Sequence, residues 1–181
     1  MLEFTLRVRD LVHGTIYFTD LERRVINHPF FQRLRHVRQN DVAFYVYPSV
    51  NTSRFEHVLG TSHVASKMAE HLGRSPLRDE YLDGLKKQAG IESQDEFVQL
   101  VSLYALLHDI GHLPLSHLFE MAATEYWISE RQKRMEAIKE WTNTEGFEKL
   151  HEAFGAKIIN ELASDPAIGM SGQTKMHSFS L

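Results

Sequence analysis

Histidine and carboxylate side chains recur in this sequence at spacings that suit a divalent cation. His108 and Asp109 are adjacent at the end of an apolar run, and a vicinal His-Asp pair at a helix end can turn two donors onto one ion. His57 offers a third donor from a separate segment. His112 and His117 follow within nine residues of His108, and the turn chemistry of Gly111 and Pro114 folds them back toward the same cavity. His151 adds another imidazole from a later helix. The chain has no cysteine, which excludes thiolate ligands and disulfides and leaves imidazole and carboxylate. One histidine alone on an apolar helix face is ordinarily a core residue bonded to backbone. Their joint occurrence reverses that reading. Asp109 is the hardest to explain otherwise, because an acid closing an apolar helix carries a desolvation cost that a cation offsets.

The elements that must position these residues are mostly helical. Phe4, Leu6 and Val8 alternate with Thr5, Arg7 and Arg9, the period of a half-buried strand, and residues 16–18 can pair with it across a turn at Asp10 and His13-Gly14. Asp20 is placed to cap a helix through Leu21, Val25 and Ile26. Pro29 forces a break before a second helix with Phe30, Phe31, Leu34 and Val37, on which Arg33, Arg35 and Arg38 also lie. Residues 42–50 have no helical period and read as a loop that delivers residues 54–57 to a site. From Leu59 a helix is expected through Thr61, Val64, Ala65, Met68 and Leu72, with Gly73 ending it.

Residues 74–95 read as a loop plus a solvated helix. A strongly apolar helix follows, with Phe97, Leu100, Val101, Tyr104 and Leu107 on one face and Leu103, Ala105 and Leu106 widening it, so it should be central. Ser116 can cap the next helix, which continues toward Trp127, and residues 130–148 read as a surface helix or hairpin. The last helix, from about residue 145, puts Leu150, His151, Phe154 and Ile158 on one side. Residues 164–181 are rich in Ser, Gly and small polar residues and read as a mobile tail.

The 181 residues are enough for one substantial core and too few for two, so residues 1–163 are read as one domain. A net charge of -4 gives no global basic field, which argues against non-specific coating of nucleic acid or an anionic membrane. No segment approaches ~20 uninterrupted apolar residues and residues 1–9 lack a signal-peptide pattern, so a soluble, cytoplasmic protein is expected. Arg33, Arg35 and Arg38 fit either a solvated face or a nucleic-acid contact.

Five segments in order carry a resemblance: DLVHGTIYFTD (10–20), INHPFFQRLRHVRQ (26–39), SRFEHVLGTSHVA (53–65), LLHDIGHLPLSH (106–117) and LHEAFG (150–155). The sequence resembles the HD superfamily, and within it the dNTP triphosphohydrolase branch. The resemblance implies a mainly α fold, an HD-domain helical bundle with a short N-terminal β-hairpin. It implies a divalent metal (Mn, Mg, Ni, Co, Fe or Zn) held by His57, His108 and Asp109, with Asp109 also helping to hold the attacking water. Arg54 would contact phosphate or base, and Gln39 sugar and base. His112 and His117 would line the triphosphate and the attacking water, and His151 would protonate the leaving 5′-oxygen. The implied reaction is attack of water on the α-phosphorus of a dNTP, releasing deoxynucleoside and triphosphate. Assembly as a homo-oligomer is implied as well.

The chain also departs from the family pattern. Asn40 stands where an apolar residue commonly lies beside the base, and the intervals 73–95 and 125–148 are long. The family completes its metal site with a further aspartate on a later helix. The sole aspartate after His151 is Asp165, whose Ser-Asp-Pro setting suggests a turn. An N-terminal fragment, a shortened protein and half of a site completed elsewhere are all consistent with this. Two other functions compete with a nucleotide phosphohydrolase: an HD domain without turnover that binds nucleotide or a protein partner, and a nucleic-acid-binding module.

Overall fold

The computed structural model describes residues 2–74, 83–84, 86–87, 90–129, 140 and 150–170. Strands β1 (Phe4–Asp10) and β2 (Gly14–Thr19) pair antiparallel, with Leu6 opposite Phe18 and Val8 opposite Ile16. Asp10 Oδ1 accepts from the Val12 and His13 amides at 2.8 and 2.7 Å, and Gly14 takes the left-handed conformation that the turn requires. The expected hairpin is therefore present. Helices α1 (Asp20–Asn27), α2 (Pro29–Gln32), α3 (Arg54–Arg74), α4 (Gln94–Leu107), α5 (Ser116–Ser129) and α6 (Leu150–Ser164) follow, with short 3-10 turns at Arg33–His36 and Ala43–Tyr45. The protein is mainly α, and no helix among the described residues is long and apolar enough to cross a membrane.

Three helices begin on the same local device, a Ser or Thr followed three residues later by Glu, in which each side chain satisfies the other's free backbone amide. Thr19 and Glu22 do this for α1, so Thr19 rather than Asp20 is the cap. Ser53 and Glu56 do it for α3: the Ser53 amide and hydroxyl each donate to Glu56 Oε2 at 2.8 Å. This starts α3 at Arg54, five residues before the expected start, and places Arg54 and His57 in its first turn. Ser93 and Glu96 cap α4.

The helix expected across residues 30–37 is shorter than its apolar period suggested. His28 Nδ1 accepts from the Phe30 amide and Pro29 opens α2, but the helix tightens to 3-10 at Arg33 and then extends at Val37. Tertiary pairing overrides the local preference: Val37 O accepts from the Arg54 amide (2.8 Å), the Gln39 amide donates to Thr52 O (2.9 Å), and Arg38 bridges Ser53.

By their contacts the residues fall into two compact units, one from Met1–Arg23 and Val58–Leu107, the other from Arg24–His57 and His108–Leu181. In the first, Ile16 and Phe18 are buried from β2, with Val58, Leu59 and Ala69 from α3. The α3 stripe read as apolar is the wrong face, since Val64, Met68 and Leu72 are exposed. In α4 the buried residues are Val98, Ser102, Leu103, Ala105, Leu106 and Leu107, whereas Tyr104 is exposed. Both helices are apolar on more than one side, so periodicity alone did not set their rotation. The buried polar residues explain the choice. Glu22 accepts from Thr19 N, Thr19 Oγ and Ser102 Oγ, and Ser102 in turn lies 2.8 Å from Ser62 Oγ. Gly73 does not end α3; a side chain there would overlap the Gln94 amide, whose Nε2 donates to Ala69 O at 2.8 Å.

In the second unit, Val25, Ile26, Phe31, Leu34, Ile110 and Leu162 are buried. After α6 the chain turns at Asp165, whose Oδ1 accepts from the Ala167 amide, and Ile168 and Met170 are buried. Residues 164–170, read from composition as the start of a tail, thus carry packed side chains. Residues 171–181 lie outside the described residues, as do half of the expected segment 74–95, all of 130–148 except residue 140, and the start of the last helix before Leu150.

Glu22→Ala removes a cap and leaves buried hydroxyls without their acceptor. It should cost about 2–4 kcal/mol in denaturant unfolding, and a loss below about 0.5 kcal/mol would show that the Glu22 network is not structural.

Candidate metal centre

Immediately after Leu107 the chain forms a tight turn, in which the His112 amide donates to Asp109 O at 3.1 Å. Arg33 pins this turn from outside, donating to the backbone carbonyls of Ile110 and His112. One of the three arginines read as a surface group is therefore part of the scaffold. Arg35 lies over the Phe55 ring (3.6 Å to the centroid) and Arg38 over Phe44 (4.4 Å).

Asp109 is the hub of the site. Its side chain is 10% exposed and forms an ion pair with Arg54, which is 3% exposed. His57 Nε2 stands 3.7 Å from Asp109 Oδ2; His108 Nε2 and His112 Nε2 stand 3.4 and 3.5 Å from Oδ1. Burial would raise the Asp109 pKa, but the His112 hydrogen bond and the charges of His108 and Arg54 outweigh it and hold the carboxyl well below the usual range. Burial lowers the His57 pKa, against the pull of Asp109, which favours the neutral imidazole that a metal requires. The donor atoms of His57, His108 and Asp109 all lie within 4.8 Å of one another. Two imidazoles and one carboxylate on a thiolate-free site fit a divalent first-row ion.

Arg54 was expected to reach phosphate or base. Its guanidinium instead turns inward, to Asp109 and, at 2.8 Å from Nε, to Ser116 Oγ. Ser116 was expected as a helix cap, yet its hydroxyl receives Arg54 and donates to Arg38 O at 3.0 Å. Leu115 and Ser116 both hold left-handed backbone (φ 67° and 44°), conformations that are costly for non-glycine residues and characteristic of functional sites.

Three histidines form a second group. The donors of His112, His117 and His151 lie within 4.8 Å of one another. The rings of His112 and His151 stack at 4.2 Å with an interplanar angle of 8°. Glu120, buried on α5, organises this group: Oε1 accepts from the His151 amide and lies 2.7 Å from His151 Nδ1, while Oε2 lies 2.9 Å from His117 Nδ1. Burial would raise the Glu120 pKa, but the hydrogen bonds from the His151 amide and from the His117 and His151 rings bring it below its ordinary 4.5. Glu120 was missed in the sequence, although His117 and Glu120 are three apart on one helix, a spacing that puts them on one face.

A glycine contact seats His151. A Cβ on Gly111 would overlap the His151 carbonyl oxygen and the Gly155 amide and stand 2.8 Å from Gly155 Cα, so the turn and α6 meet backbone to backbone. The converse is not true: a Cβ on Gly155 would stand 3.6 Å from Gly111 N, an ordinary contact. Gln39 is not in either histidine group; its backbone is tied to Thr52, and its buried Oε1 has no hydrogen-bond partner among the described residues. Asp165 sits in the turn expected for it, 3.7 Å from His28 Nε2.

The HD domain family profile matches residues 54–169, and this chain belongs to the HD domain family. An uncharacterized protein of Methanocaldococcus jannaschii is 36% identical over 126 residues, covering 70% of this chain and 23% of that protein. The deoxynucleoside triphosphate triphosphohydrolase SAMHD1 of Homo sapiens is 30% identical over 153 residues, covering 82% of this chain and 22% of that protein. A putative HD domain-containing protein of Acanthamoeba polyphaga mimivirus is 31% identical over 110 residues, covering 60% of this chain and 24% of the viral protein. The chain thus spans about a quarter of the length of the curated relatives that it matches.

Two predictions follow from the second histidine group. Gly111→Ala should destabilise by about 1–3 kcal/mol, whereas Gly155→Ala should be neutral or stabilising by up to about 1 kcal/mol; equal effects in thermal unfolding would contradict the backbone contact. Wild type should also be more stable than Glu120→Gln above pH 4.5, where the lowered Glu120 carboxyl is ionised, and the gap in Tm should close as the pH falls through that lowered value. A gap that widens in acid would contradict the assignment.

Proposed function

We propose that this chain is a metal-dependent phosphohydrolase acting on nucleotides, with dNTPs, cleaved to deoxynucleoside and triphosphate, as the leading substrate class. The observation that carries the reading is the juxtaposition of two groups through Asp109: the cation-binding set His57, His108 and Asp109, and the imidazole set His112, His117 and His151 held by Glu120. The name of the SAMHD1 relatives supports the substrate class. A divalent ion bound at the first set supplies a Lewis acid that neutralises phosphate charge and acidifies water.

The chain's own residues do the rest. Arg54 fixes the orientation of Asp109, so the ligand carboxylate needs no rearrangement. His112 and His117 line the phosphate side. His151 is held at Nδ1 by Glu120, which stabilises the imidazolium and leaves Nε2 to give its proton to the leaving 5′-oxygen as the bond from that oxygen to the α-phosphorus breaks. Water supplies the new oxygen on that phosphorus, so triphosphate and deoxynucleoside account for every atom. Assembly with further copies of the chain belongs to the same reading.

With manganese, purified protein should release triphosphate from dNTPs, and His108→Ala should lower both bound metal by elemental analysis and kcat, the latter by about 100-fold or more. Retention of stoichiometric metal by His108→Ala would refute the ligand set. Nucleotide binding without release of triphosphate or phosphate would favour an HD domain without turnover.

A further inference from the structure

Each of the three rings in the second histidine group has one nitrogen against a carboxylate. His112 Nε2 stands 3.5 Å from Asp109 Oδ1, His117 Nδ1 stands 2.9 Å from Glu120 Oε2, and His151 Nδ1 stands 2.7 Å from Glu120 Oε1. An ionised carboxylate only accepts, so the nitrogen facing it carries the proton, and in a neutral imidazole the other nitrogen then carries the lone pair. The lone pairs are thereby fixed on His112 Nδ1, His117 Nε2 and His151 Nε2. His112 Nδ1 is buried and has no hydrogen-bond partner among the described residues. A buried acceptor without a donor is costly, and a metal ion satisfies it as a donor would.

The rings are close enough to share one ion. One donor nitrogen from each lies within 4.8 Å of the other two, and ligand nitrogens around a tetrahedral zinc ion are about 3.3 Å apart at ordinary Zn–N lengths. The His112 and His151 rings stack at 4.2 Å, and the His117 ring stands nearly perpendicular to both, at 4.8 and 5.2 Å between centroids. The first two are held by the backbone contact between the Gly111 turn and α6. The His117 side chain is 59% exposed and closes the remaining gap by rotating about its own bonds. A carboxylate behind each imidazole is the arrangement that orients and strengthens histidine ligands in zinc sites. In the first set, by contrast, the carboxylate of Asp109 is itself among the donors.

We propose that His112, His117 and His151 form a second cation site that takes zinc, separate from the His57, His108 and Asp109 set, and that zinc bound there blocks turnover. An ion on His151 Nε2 excludes the proton that this nitrogen gives to the leaving oxygen, so the site is inhibitory. Binding of zinc stands on the geometry alone. Its effect on turnover rests on the nucleotide reading above.

Wild type, His117→Ala, His57→Ala and the double variant are stripped of metal, dialysed against zinc and measured for bound zinc, with thermal unfolding as the check on the fold. His117→Ala and His57→Ala should each bind about one equivalent less than wild type, and the double variant about two less. Glu120→Gln should weaken the second equivalent by about 10- to 100-fold. Full retention of zinc by His117→Ala, or loss of both equivalents in His57→Ala, overturns the second site. With manganese in large excess, dNTP turnover by wild type should fall as the second site takes up zinc, while manganese stays bound. Turnover that persists, or that falls only as manganese is lost, overturns the inhibitory role. A wild type that hydrolyses no nucleotide overturns the nucleotide reading and the inhibitory role with it, whereas the zinc counts still decide the site.

Discussion

A single buried ion pair, Arg54 with Asp109, sets the terms for the site. A carboxylate with 10% of its surface exposed would ordinarily be protonated or expelled. The His112 hydrogen bond and the charges of His108 and Arg54 keep it ionised, and its two oxygens also face His57, His108 and His112. Removing one partner from such a pair is far more damaging than removing both, so the local structure around each partner is constrained. Arg54 lies in the first turn of α3 because Ser53 and Glu56 cap that helix, and its guanidinium is steered by Ser116, whose backbone is strained. Asp109 lies in a turn whose carbonyls are fastened by Arg33.

The same hub explains why five histidines divide into two groups and do not crowd one ion. Asp109 Oδ2 faces Arg54 and His57, and Oδ1 faces His108 and His112. His112 is the hinge between the groups: it is bonded to Asp109 on one side and stacked on His151 on the other. Burial lowers the His112 pKa against the pull of Asp109, which favours the neutral ring where it stacks on His151. Glu120 then supplies the second group with the negative charge that Asp109 supplies to the first.

Much of this was readable in the residues, but unevenly. The hairpin and the order of helices followed from periodicity and turn residues, and the adjacency of His108 and Asp109 pointed to the place where the histidines gather around a carboxylate. The start of α3 was also written locally, in Ser53 and Glu56, yet its pattern was read as loop because the apolar period begins later. The buried faces of α3 and α4 could not be phased, since apolar residues occur around most of each helix and the choice was made by Glu22, Ser62 and Ser102. The inward course of Arg33 and Arg54 depends on carbonyls and a carboxylate more than 50 residues away in sequence, which no local pattern reveals. Glu120 was within reach of helical spacing, but its role needed His151 from a separate helix.

What the account claims above all is that Arg54 and Asp109 act as one unit on which the remaining geometry rests. A double-mutant cycle in metal-free protein measures this directly, from the unfolding free energies of wild type, Arg54→Gln, Asp109→Asn and the double variant. Each single change should cost about 3–5 kcal/mol and the coupling should exceed about 2 kcal/mol. Additive losses with coupling near zero would show that the two side chains act independently and would contradict the account.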